Sequence, residues 1–218
     1  MSNLESSINL SRLGAKIQFN VVSLDQQSQK LRLIAFNGAT LAANDNQATL
    51  KQLSTFLAEI SSKFAVMTKD TENACTKLAK FSAQGIVLEV IKVKYDKIIS
   101  LVNSKKYYSE NKEHLINKIG LLNEILNIKR NEKYFSIRSN LFQFKTSLER
   151  LIQLMDTTKY IRVNMLIEAA SLGASSKLFN SVSEDINDLI IEMKNCLDIL
   201  DNFENLASDI LIEQKKEL

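Results

Sequence analysis

The chain's 218 residues suffice for one large or two small domains with a substantial core. Its 28 Lys and Arg against 25 Asp and Glu leave a net charge of only +3, too even a mixture for a dedicated nucleic-acid-binding face. No Pro and five Gly exclude β-sandwiches and α/β enzymes, whose tight corners need those residues, and the sequence reads as nearly all helical.

The first predicted helix covers about 7–44. Along it Ile17, Val21, Leu24, Ser28, Leu31, Ala35, Gly38 and Ala42 alternate steps of four and three, the spacing of a packed helical seam. Asn44-Asp45-Asn46-Gln47 then offers a turn and helix caps. The second helix, about 47–103, repeats the alternation from Leu53 through Leu57, Ile60, Phe64, Met67, Thr71, Ala74, Leu78, Phe81 and Gly85 to Leu88. Periodicity lapses from Ser104 to Lys112, an exposed connection containing Lys105-Lys106-Tyr107-Tyr108. The third helix, about 111–171, carries Leu141, Phe144, Leu148, Leu151 and Met155. Leu172-Gly173-Ala174-Ser175-Ser176 makes a second sharp turn. The fourth helix, about 176–215, has a faultless seam: Val182, Ile186, Leu189, Met193, Cys196, Leu200, Phe203, Ala207, Ile210.

Four such segments predict an all-α fold, an elongated antiparallel four-helix bundle. Their unequal lengths predict a central extension as well. At about 1.5 Å per residue the outer helices run out near Gln84 and Ser136 of the inner pair. The chain thus divides into a first hairpin (1–84), a helical extension (85–135) and a second hairpin (136–218), the two hairpins packing as one bundle. Residues 85–135 hold ten Lys and Arg against six Asp and Glu, all of the excess positive charge. A two-helix extension without neighbours is marginal alone, so folding back or homo-oligomerisation is expected.

No catalytic constellation stands out. His114, the single histidine, lies in a polar connection, and Cys75 and Cys196 read as buried reduced thiols. Neither a metal site, a cofactor-binding loop nor an enzyme activity is expected. The N-terminal Met1-Ser2-Asn3-Leu4-Glu5 lacks a signal-peptide pattern, and no segment approaches the roughly 20 apolar residues of a membrane span. The expectation is a cytoplasmic, non-enzymatic protein that binds neither nucleic acid nor membrane.

The two sharp turns are alike. Phe36-Asn37-Gly38-Ala39-Thr40-Leu41-Ala42-Ala43 precedes the first and Val163-Asn164-Met165-Leu166-Ile167-Glu168-Ala169-Ala170 the second, 127 residues later. The second copy resembles the cytoplasmic signalling tip of methyl-accepting chemotaxis receptors. Asn164, Ile167-Glu168-Ala169-Ala170, Gly173, Phe179 and Val182 match that pattern without a gap, and Lys177 stands where the family has Arg. The first copy keeps Asn37, Ala39, Ala42 and Ala43, with Leu41 in place of the Glu and a turn about two residues shorter.

The resemblance implies a covalent pseudo-dimer: two tips at one end of a four-helix bundle, related by an approximate two-fold axis. It also implies protein partners, namely the chemotaxis histidine kinase, its coupling protein or other receptor tips. Ser171 replaces the family's tip Arg, and neither Gln26-Gln27 nor Glu213-Gln214 has a methylation-site context. That favours a docking protein over an array-forming receptor. Asn37, Asn164, Ile167, Glu168, Lys177 and Phe179 are the candidate partner-binding tip. Phe36, Val163, Ile167 and Phe179 read first as core, with partner contact as the alternative. Asn37 and Asn164 either fix register or face a partner. Two other readings stand beside this one: an adaptor or spacer working through 85–135, and a membrane-acting helical protein hinted at by Ile86-Val87-Leu88 and Val90-Ile91 but opposed by Glu89, Lys92 and Lys94.

Overall fold

A computed structural model of the chain describes residues 3–44, 47–104, 111–172 and 176–216. Four helices account for nearly all of them: α1 (Asn3–Asn44), α2 (Ala48–Ser104), α3 (Asn111–Ala170) and α4 (Ser176–Lys216). The protein is all-α, and no strand occurs among the described residues. The turn residues Asp45 and Asn46, the connection 105–110 with its Lys-Lys-Tyr-Tyr run, and Gly173, Ala174 and Ser175 lie outside the described residues.

The seams are buried as their spacing requires. All eight α1 positions from Ile17 to Ala42 are buried, as are all five on α3 and every α4 position from Val182 to Ala207. The α2 seam is buried at Leu57, Ile60, Phe64, Thr71, Ala74 and Leu78 and half-buried at Leu53, Met67, Phe81, Gly85 and Leu88. Each fully buried Leu or Phe contributes about 1.5–3 kcal/mol. Thr71 is tolerated because its hydroxyl donates to the Met67 carbonyl (2.8 Å) within its own helix.

Contacts divide the chain into two compact units. Unit 1 comprises 1–15, 75–142 and 205–218, and unit 2 comprises 16–74 and 143–204. This differs from the division 1–84, 85–135 and 136–218 read from sequence, because contacts in a bundle run between helices rather than along each hairpin.

In unit 2, Ser61 Oγ donates to the Ser28 carbonyl (2.8 Å), fixing α2 against α1. Lys30 pairs with Glu192 (3.2 Å) between α1 and α4. Phe144 and Phe203 pack edge to face, centroids 5.5 Å apart, between α3 and α4. Gln27, buried on α1, donates to Ser23 Oγ (3.3 Å) and to Cys196 Sγ (3.6 Å), a polar link inside the seam. Its neighbours in cyclic order are therefore α2–α1–α4–α3, with α1 and α3 diagonal.

In unit 1, α1 and α2 approach closely: a Cβ added at Gly14 would stand 3.1 Å from Ala79 Cβ. Gly85 faces Ser7, and Tyr134 on α3 donates to the Leu211 carbonyl of α4 (3.3 Å). Arg130 and Glu89 form a 2.6 Å ion pair with side chains only 7% and 13% exposed. The expected extension is helical and poorly covered. No α2 residue from 83 to 102 is buried, and along α3 from 114 to 129 only Ile119 and Leu126 are.

Candidate functional site

The turn end of unit 2 is built by four helix termini. Gln47 N–H donates to the Ala42 carbonyl (2.8 Å) at the end of α1. At the end of α3, the Ser171 N–H (3.1 Å) and hydroxyl (2.7 Å) both donate to the Glu168 carbonyl, capping orphan backbone groups. Arg162 Nε donates to the Ser183 carbonyl (3.0 Å), tying α3 to the start of α4.

Gly38 and Met165, equivalent positions of the two copies, meet across the core. A Cβ on Gly38 would lie 3.6 Å from Met165 Cε and Val182 Cγ1 and 2.7 Å from Ser54 Oγ. Asn37 and Asn164 therefore share one end of unit 2. The correspondence extends down the helices. Positions 127 apart are buried together at Ile17/Phe144, Val21/Leu148, Leu24/Leu151 and Ala42/Ala169. Beyond the turns the shift is 129, as the shorter first turn requires: Leu50/Phe179, Ser54/Ser183, Leu57/Ile186 and Phe64/Met193 are all buried.

Sharing an end is not sharing a face. Successive helical residues are about 100° apart, so Phe36 lies roughly opposite Gly38, and Val163 roughly opposite Met165. Since Gly38 and Met165 face each other through the core, Phe36-Asn37 and Val163-Asn164 point outward on opposite flanks. Both asparagines are exposed, so neither sits in the seam. Phe36 (69% exposed), Val163 (47%) and Ile167 (65%) are on the surface, which corrects their reading as core. Phe179 is fully buried and serves the core, so it leaves the candidate surface. Glu168 is half-buried and Lys177 exposed. The sequence reading passed over Leu33 (65%) and Leu178 (53%), large apolar side chains exposed near the same end. Their signal was available, since both fall off the four-three seam.

Among the described residues no group of three His, Cys, Asp or Glu could hold a metal ion, and no helix is long and apolar enough to cross a membrane. His114 is exposed on α3. Lys69 has its pKa raised by the hydrogen bond and the charge of Glu72, a surface pair at 2.6 Å away from the turns. Comparison with protein-family models, curated proteins and solved structures finds no match to this chain. Fold and site define its class: an all-α helical-bundle protein with exposed apolar residues beside its turns.

Proposed function

We propose that this chain is a non-enzymatic helical docking module that binds protein partners through the turn end of unit 2. The observation that carries the reading is the exposure of Val163 and Ile167 beside Asn164, Glu168 and Lys177. Apolar side chains left on a surface and rimmed by polar groups mark contact sites. Chemosensory components (the histidine kinase, its coupling protein or receptor tips) are the partner class that the resemblance implies. The two outward flanks give such a partner two separate places to engage. Cys75 and Cys196 are both buried and not joined in a disulfide, which supports a reducing compartment, the cytoplasm in this reading.

Affinity capture from the source cell tests the reading. Glu168→Lys combined with Lys177→Glu should release the partner captured by the wild type while leaving helicity unchanged, because solvent-accessible charges such as the exposed Lys177 and the half-buried Glu168 contribute roughly 0–1 kcal/mol to folding yet orient an interface strongly. Unchanged capture by a folded double variant would refute the turn end as the docking surface.

A further inference from the structure

We propose that a second copy of this chain packs on the outer face of α3 in unit 1, the two α3 helices running antiparallel about a two-fold axis at the level of Arg130. That face is the stripe Leu121, Ile125, Ile128, Phe135 and Phe142, which are 61%, 49%, 59%, 63% and 71% exposed. Its steps keep heptad register, with Glu132 and Ser139 at the intervening seam positions. The core side of the same helix, Ile119, Leu126, Arg130, Ile137 and Leu141, is buried and lies opposite. Beside α4, where Tyr134 donates to the Leu211 carbonyl, Phe135 still faces solvent. The stripe therefore faces away from α4 as well as from the core.

The charges beside the stripe point to what covers it. Glu124, Asn131 and Arg138 line one margin at heptad spacing, and Leu122, Lys129 and Ser136 line the other. Glu124, Lys129, Glu132 and Arg138 are exposed, and none has an ion-pair partner among the described residues. In an antiparallel pair related by a two-fold, the same margin of each copy meets. Two residues then stand level when their numbers sum to twice that of the residue on the axis. With the axis at Arg130, Leu121 meets Ser139, Ile125 meets Phe135 and Ile128 meets Glu132. Glu124 of each copy stands within two residues, about 3 Å along the axis, of Arg138 of the other. Lys129 stands within one residue of the other copy's Glu132. The stripe is complementary in charge to itself, which commits it to a second copy.

Orientation and register follow from the same charges. A parallel pair would set Glu132 against Glu132 inside the seam, whereas the antiparallel one sets it against Ile128 with Lys129 in reach. Sliding the antiparallel pair by a heptad puts Glu124 opposite either Asn131 or Lys145, and Lys145 already holds Glu204 (3.6 Å). The contact runs from Lys118 to Phe142, roughly 25 residues or about 37 Å of a helix about 10 Å wide. It buries on the order of 1,000 Å² in total, the lower end of specific interfaces, so the dimer should form at micromolar concentration.

Sedimentation analysis of the full chain across the micromolar range reads the mass directly. The wild type should be a dimer at the upper concentrations, and Ile125→Lys should leave it monomeric with the circular dichroism unchanged. Glu124→Arg alone or Arg138→Glu alone should weaken association about tenfold or more, and the two together should restore it, since the swapped charges again face each other. Spin labels give the orientation, because the native Cys75 and Cys196 are buried. Labels on Asn131→Cys should lie under about 20 Å apart in the dimer, and labels on His114→Cys about 50 Å apart. A wild type that stays monomeric, whether or not it binds another protein or anionic vesicles, would overturn the proposal. So would a dimer indifferent to Ile125→Lys, a double swap no better than either single one, or His114 labels as close as those at Asn131.

Discussion

Replacing Gly14 by Ala measures how closely α1 and α2 approach. At an open helical site Ala is favoured over Gly by about 0.5–1 kcal/mol, because Gly loses more backbone freedom on folding. At Gly14 the new methyl would meet Ala79 Cβ at 3.1 Å, Cα at 3.4 Å and N at 3.6 Å. The tight contact is the one at 3.1 Å, and Ala79 Cβ is fixed to its backbone and cannot rotate aside, so one helix must move by a few tenths of an ångström. Overpacking of this kind costs about 1–3 kcal/mol, which leaves Gly14→Ala destabilised by about 0–2 kcal/mol. Gly85 is the internal control. Its added Cβ would meet Ser7 Oγ at 3.4 Å and Ser7 Cβ at 4.0 Å, ordinary contacts, so Gly85→Ala should be stabilised by about 0.5–1 kcal/mol. Urea unfolding followed by far-ultraviolet circular dichroism, at one fixed protein concentration, should move the two midpoints in opposite directions with unchanged slopes. Equal stabilisation by both substitutions would refute the close approach.

Phe179→Ala should cost about 3–5 kcal/mol, read as a large fall in melting temperature, since the side chain is fully buried; a loss below about 1 kcal/mol would return Phe179 to the surface. Arg130→Met alone should cost about 3 kcal/mol by leaving the Glu89 carboxylate, its side chain only 13% exposed, without its counter-charge, and adding Glu89→Leu should recover most of that; additive losses in urea unfolding would contradict a coupled pair. Ser183→Ala should be neutral or stabilising by up to about 1 kcal/mol, because the buried Ser183 hydroxyl has no hydrogen-bond partner among the described residues; a clear loss of stability would reveal one.

The α4 seam was legible because nine positions kept one spacing, and burial confirms it down to Ala207. The end of α1 was misread at Phe36 for an angular reason. Ala35, Gly38 and Ala42 already occupy the core-facing stripe, so an aromatic residue two positions from Gly38 can only point out. The same geometry places Val163 outside Met165. Helix lengths alone place the start of α1 near Gly85, and Ser7 stands opposite that residue. Pairwise encounters were not legible. Nothing periodic announces that Arg130 meets Glu89 or that Gln27 meets Cys196, because each joins positions far apart in sequence that only the packed register brings together. For the turn-end residues the sequence supplied a pattern, and the structure supplied the fact that its two copies face apart.

The paired burial of equivalent positions in unit 2 conceals an asymmetry of volume. Where the first copy has Ser28, Gly38, Thr68 and Thr71, the second has Met155, Met165, Leu197 and Leu200, all buried. At Leu31 and Thr158 the inequality reverses. The halves coincide in position but complement one another in bulk, the small side chains of one making room for the large ones of the other. Two second hairpins brought together would overfill a core of native density, and two first hairpins would leave it hollow. Any exchange of hairpins between molecules must therefore be mixed, first with second, and like paired with like is excluded by volume alone.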